Sequence, residues 1–208
     1  MSIERSPFEV SDAVSQISAI HEHLVKGEIY RGYRPLPIAV SGIVGLAAAA
    51  VQGKFLPEVT SSRYLVYWVA VGAICAVISA SEIVYNYLFA DTAYDKRCTR
   101  RVLGQFLPCL VAGCLMTAVV MSARPEFASV LPGTWALFFG LGIFASRPYL
   151  PHATGWLALY YFVLGTWLLF TMGQAPLSGW RVGGVFGGGQ LLAGLVLYWN
   201  VERRQREI

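Results

Sequence analysis

Apolar residues fill six long blocks of this chain, at 36–52, 64–89, 106–121, 131–146, 154–172 and 182–199, with short polar gaps between them. The hydrocarbon layer of a bilayer is about 30 Å thick and an α-helix rises ~1.5 Å per residue, so about 20 apolar residues cross it. The pattern therefore predicts six transmembrane helices. The second block is long enough to project beyond the bilayer. The first, third and fourth are short, so they must tilt little or draw on flanking residues.

The first 34 residues follow a different pattern. Ser6, Pro7 and Glu9 stand in the order N-cap, N1 and N3 of a capping box, which satisfies free backbone N–H groups and starts a helix. Phe8, Val10, Val14, Ile17, Leu24 and Val25 recur near helical spacing, with Ser11, Asp12, Ser15, Glu22 and Lys26 on other faces. This predicts an amphipathic helix that lies along the membrane, caps the bundle or docks a partner.

Composition agrees with a bilayer as solvent. The 208 residues are 56% hydrophobic and 13% charged, with mean hydropathy +0.54, whereas soluble domains are nearer ~45–50% apolar and ~25% charged. The expected fold class is all-α: a polytopic membrane protein with an N-terminal segment at 1–34, a six-helix bundle at 35–200 and a basic tail at 201–208.

Charge adds an orientation. Assigned to alternate sides of six spans, the sixteen Lys and Arg residues divide into twelve on one face and four on the other. The rich face holds Arg5, Lys26, Arg31, Arg34, Lys96, Arg97, Arg100, Arg101, Arg147, Arg203, Arg204 and Arg206. The poor face holds Lys54, Arg63, Arg124 and Arg181. By the positive-inside rule both termini are cytoplasmic. Lys96, Arg97, Arg100 and Arg101, in a loop, and Arg203 and Arg204 in the tail are expected to meet anionic lipid headgroups, at about 1 kcal/mol per residue near the surface. Basic groups dispersed over short gaps are a poor match to nucleic acid.

Candidate chemistry is sparse. Glu82 is the ionisable side chain well inside a block, roughly 9 Å past its middle at helical rise. An acid at a span's centre costs about 2.5–3.5 kcal/mol, less near the interface. One reading is a proton or ion site, with Ser79 and Asn86 nearby and Gln190 supplied by the last span. The other is an interfacial carboxylate paired with Arg97, Arg100, Arg101 or Arg147. The run from Gly183 to Gly194 sets Gly183 with Gly187, and Gly184 with Gly188, four apart. This makes smooth ridges for close helix packing. Ser41, Gly45 and Ala49 of the first block, and Gly72, Ala76 and Ala80 of the second, have the same spacing. A second copy of the chain could use the Gly183 ridge, giving a homodimer. The rival reading is a broken helix exposing backbone to a substrate.

His21 and His23 point to different sides of a helix, poor geometry for one metal. No block contains a histidine, which excludes bis-histidine haem ligation within the bilayer. The glycine run lacks the Lys and Ser/Thr of a phosphate loop. Neither a metal nor a cofactor is expected, and the chain reads as a non-enzyme. Cys75, Cys109 and Cys114 lie in apolar blocks and Cys98 in the basic gap, so no disulfide framework is expected.

Residues 30–50 (YRGYRPLPIAVSGIVGLAAAA), 131–140 (LPGTWALFFG) and 183–204 resemble an uncharacterised family of small bacterial six-span integral membrane proteins. The shared features are a short cytoplasmic helix before a Ser-Gly-bearing first span, an LPG-x-W start to the fourth, and a Gly-rich last span with a basic end. A histidine often stands in that family's last span where this chain has Gln190. The resemblance implies six spans in a bacterial inner membrane and supplies no activity. Two functions then stand open: a membrane subunit or regulator that presents its cytoplasmic helix to a protein partner, and a small permease or channel for an ion or small solute that uses Glu82.

Overall fold

Prolines mark where several helices begin. The computed structural model describes residues 35–90, 93–173 and 177–199, and the first described helix, α1 (Pro35–Phe55), has prolines at 35 and 37. Such a residue lacks only an N–H that a helix start would leave unbonded. After it come α2 (Ser61–Tyr85), which continues into a π-helical turn over Asn86–Ala90, and α3 (Ala93–Ala123). A 3-10 turn at Pro125–Val130 leads into α4 (Leu131–Ser146), with Pro132 in its first turn. The last two helices are α5 (Thr154–Phe170) and α6 (Gly183–Leu197). Past the end of α5, Gly173 takes φ +78°, the left-handed conformation that glycine adopts at low cost when a helix turns away.

Among the described residues, four stretches are long and apolar enough to cross a membrane: Pro35–Phe55, Ser61–Phe89, Asp95–Ala123 and Pro125–Tyr149. Thr154–Phe170 is apolar but shorter. No strand occurs among the described residues. The expected N-terminal helix, with Ser6, Pro7, Glu9, His21 and His23, lies outside the described residues, as do Arg203 and Arg204.

The helices neighbour one another in the order α2, α1, α6, α5, α4, α3. The α1–α6 and α4–α5 pairs have the most extensive contact, and α2 and α3 meet only sparsely. Small residues set both close pairs. A Cβ on Gly133 of α4 would lie 2.8 Å from the Gly165 carbonyl oxygen of α5, and one on Gly140 would lie 3.0 Å from Tyr161 Cβ. These contacts run antiparallel from end to end. One end of the bundle carries the start of α1, the start of α3 and the turn between α4 and α5; the opposite end carries the α1–α2, α3–α4 and α5–α6 connections.

Two expectations need correction. Lys96, Arg97, Arg100 and Arg101 belong to helix α3 rather than a loop, because Tyr149 and Leu150 pack onto Cys98 and Val102 and give that turn a buried face. Cys98 and Thr99 are accordingly buried among the exposed arginines. Second, Gly72, Ala76 and Ala80 are exposed on α2 and pair with no other helix among the described residues, where nothing lies within 4 Å of a Gly72 Cβ. The matching stripe that α6 uses is on α1.

Candidate functional site

The glycines of α6 form a seam with α1. A Cβ on Gly183 would run into the Gly45 carbonyl oxygen and lie 2.6 Å from Ala49 Cβ, and one on Gly194 would be 3.1 Å from the Pro35 carbonyl oxygen. Between them, a Cβ on Gly187 would lie 2.8 Å from the Gly42 carbonyl oxygen. Only backbones without side chains can approach so closely. Gly183 and Gly187 are thus covered inside the chain. Gly184 and Gly188 are half-buried and look elsewhere: Gly184 toward Trp180, and Gly188 toward Tyr160, whose hydroxyl donates to the Val185 carbonyl at 2.9 Å.

A polar lock closes the seam at the end holding the α5–α6 connection. Gln52, on the last turn of α1, is buried; its Oε1 accepts from Trp68 Nε1 at 2.8 Å and its Nε2 donates to the Leu177 carbonyl at 3.2 Å. Tyr64 Oη donates to the Ser178 carbonyl and Tyr67 Oη to the Ala48 carbonyl. Arg181 reaches back to the end of α5, donating to the Leu168 carbonyl at 2.8 Å and to the Thr171 carbonyl and hydroxyl. Carbonyls at a helix C-terminus lack intrahelical partners and carry partial negative charge, so a guanidinium is well placed there. The sequence pattern does not single out Gln52 or these contacts of Arg181; an amide at the end of an apolar block is the available signal for Gln52.

Ser79 and Glu82 on α2 and Asn86 at the start of the π-helical turn follow one another at spacings of three and four, and all three are half-buried. Gln190 belongs to a different level. Its Cβ lies 3.1 Å from where a Gly42 Cβ would stand, beside Ser41, whose carbonyl accepts from Cys75 Sγ at 3.4 Å. Glu82 lies seven residues beyond Cys75, about 10 Å farther along the helix. The four residues therefore do not converge on one point. The interior of the α4, α5 and α6 side is filled by rings instead. Phe139 lies 4.9 Å from Tyr161 and 5.7 Å from Phe186 between centroids, and Phe106 closes the stack at 5.1 Å from Phe139. Tyr161 is fully buried, and its hydroxyl has no hydrogen-bond partner among the described residues.

Cationic groups gather at the end opposite the polar lock. Lys96 lies over the Tyr87 ring and Arg101 over the Tyr149 ring. Ser146 Oγ donates to the Val102 carbonyl at 3.3 Å, which ties the end of α4 to this part of α3 and brings Arg147 beside it. All four cysteines are free. No protein-family model, curated protein or solved structure matches this chain.

Proposed function

We propose that the chain is an integral membrane protein in which all six helices cross the bilayer with both termini cytoplasmic. In this reading it is a non-enzymatic subunit or regulator of a bacterial inner-membrane assembly. The observation that carries the six-span reading is that the 17-residue α5 and the 15-residue α6 pack antiparallel along stretches of 25 and 21 residues that are long and apolar enough to cross a membrane. From Gly183 against Gly45 and Ala49 to Gly194 against Pro35, α6 runs along α1 between Pro35 and Ala49. Likewise α5 follows α4 from Gly165 against Gly133 to Gly155 against Arg147. If α1 and α4 cross the hydrocarbon layer, their partners cross it too. With six crossings, Lys96, Arg97, Arg100, Arg101 and Arg147 fall on the cytoplasmic side, and Lys54, Arg63, Arg124 and Arg181 on the other, as the positive-inside rule requires.

The rings packed between α4, α5 and α6 favour a scaffold over a path. Transport routes in membranes are built from several polar groups at the midplane, whereas Phe139, Tyr161 and Phe186 pack together and Glu82 and Gln190 stand at different levels. The permease reading is accordingly the weaker one. In the subunit reading the bundle anchors the segment before Gly32 and presents it to a partner. Gentle detergent extraction from native membranes tests this. The full chain is expected to elute with a second polypeptide, and a variant lacking residues 2–27 to elute alone with its helical content intact. Elution of both forms alone would contradict the proposal, and a Glu82-dependent flux in liposomes would favour the permease.

A further inference from the structure

We infer that the first turns of α3 and the turn between α4 and α5 form a headgroup site for one anionic phospholipid, recognised through its phosphate. The inference rests on the proposed membrane placement, and adds a discrete site to which the separate sequence blocks contribute jointly. Arg97, Arg100, Arg101 and Arg147 are exposed, and none is paired with a carboxylate among the described residues. They come from two elements, yet two contacts bring those elements together: Ser146 Oγ to the Val102 carbonyl, and the Arg101 guanidinium over the Tyr149 ring at 6.0 Å. Arg147 lies across the start of α5, its Nε 3.3 Å from where a Gly155 Cβ would be.

The first amides of α5 are not the donors. Thr154, Gly155 and Trp156 N–H groups bond to the Pro151, His152 and Ala153 carbonyls, so recognition falls to the guanidinium groups, which suit phosphate oxygens through paired N–H donors. A lipid rather than a free ion is indicated by what adjoins the charges. Leu107 on α3, Leu141 and Phe144 on α4 and Trp156 on α5 are all exposed apolar groups, with Trp156 at 75% exposure. Helix α3 also has 31 residues, about 46 Å of rise against a hydrocarbon layer of about 30 Å. Its basic first turns therefore reach the headgroup level while its remainder stays among acyl chains.

The test uses the full chain in detergent, titrated with phosphatidylglycerol, phosphatidylcholine or inorganic phosphate, and scored by native mass spectrometry. The variants are R101Q/R147Q and, at the opposite end with the same loss of charge, K54Q/R63Q. Wild type is expected to retain one phosphatidylglycerol in preference to phosphatidylcholine. R101Q/R147Q should weaken that binding about thirtyfold, while K54Q/R63Q leaves it unchanged. Equal weakening in both variants, or none in either, would overturn the site; displacement of the lipid by inorganic phosphate at equal concentration would overturn the assignment to a lipid. Circular dichroism of each variant checks that the helices persist. Alkaline carbonate extraction of the wild type tests membrane integration separately, so failure of that reading is distinguishable from failure of the site.

Discussion

Gly42 and Gly187 exclude side chains from each other: a Cβ on either would stand 2.8 Å from the other's carbonyl oxygen. The clash is with backbone, which cannot swing aside as a side chain does. Gly187→Ala is therefore expected to push α1 and α6 apart and to destabilise by about 1–3 kcal/mol. Gly53→Ala is the control, because nothing lies within 4 Å of that Cβ; on a helix it should be neutral or stabilising by up to about 1 kcal/mol. Thermal unfolding in one detergent compares the two. Equal midpoints would show that the seam is not close-packed.

A second expectation concerns the polar lock. Gln52→Leu removes the acceptor of the buried Trp68 indole N–H and the donor to the Leu177 carbonyl. Leaving a buried donor unsatisfied costs about 1–3 kcal/mol. Trp68→Phe removes the other half of the Gln52–Trp68 bond, so the double variant should lose less than the two single losses combined. A double-mutant cycle by denaturant unfolding reads this directly, and strict additivity would mean that the two side chains do not interact.

Tyr161 gives a prediction of opposite sign. Its hydroxyl is buried without a hydrogen-bond partner among the described residues, and it stands where Gly189 would carry a Cβ. Removing an unsatisfied buried group relieves a desolvation cost of about 1–3 kcal/mol, while the ring and its packing against Phe139 and Phe186 remain. Tyr161→Phe should therefore raise or leave unchanged the unfolding midpoint. A clear fall would reveal a partner for the hydroxyl, such as a buried water.

Much of the architecture was readable as a linear pattern because long apolar blocks have few ways to satisfy their backbone other than as helices. The block at 131–146 coincides with α4, and the spacing of Gly183 and Gly187 marked a smooth face that α6 does use. What spacing could not specify was the partner. Gly45 and Gly72 both sit in small-residue stripes, and only three-dimensional neighbourhood makes Gly45 buried and Gly72 exposed. The start of α3 was hidden for a related reason: Cys98, Thr99 and Val102 form one buried face, but four basic residues around them make the local composition resemble a loop. At the candidate site, Glu82 stood out by chemistry, yet its level relative to Gln190 depends on helix register. Gln52 and Arg181 act through contacts with residues far away in the chain, at Leu177 and Leu168 respectively, and a local pattern does not carry such pairings.

The central claim, that α5 and α6 cross the membrane along with α1 and α4, is tested most directly by labelling single cysteines in intact cells with a membrane-impermeant maleimide. The background has Cys75, Cys98, Cys109 and Cys114 replaced. Glu126→Cys marks the α3–α4 connection, His152→Cys the α4–α5 turn and Trp180→Cys the α5–α6 connection; all three positions are exposed. Six crossings with cytoplasmic termini predict that Glu126→Cys and Trp180→Cys label from outside, and that His152→Cys labels only after permeabilisation. Labelling of Trp180→Cys only after permeabilisation, together with His152→Cys, would place both ends of α5 on one side of the membrane and contradict the account.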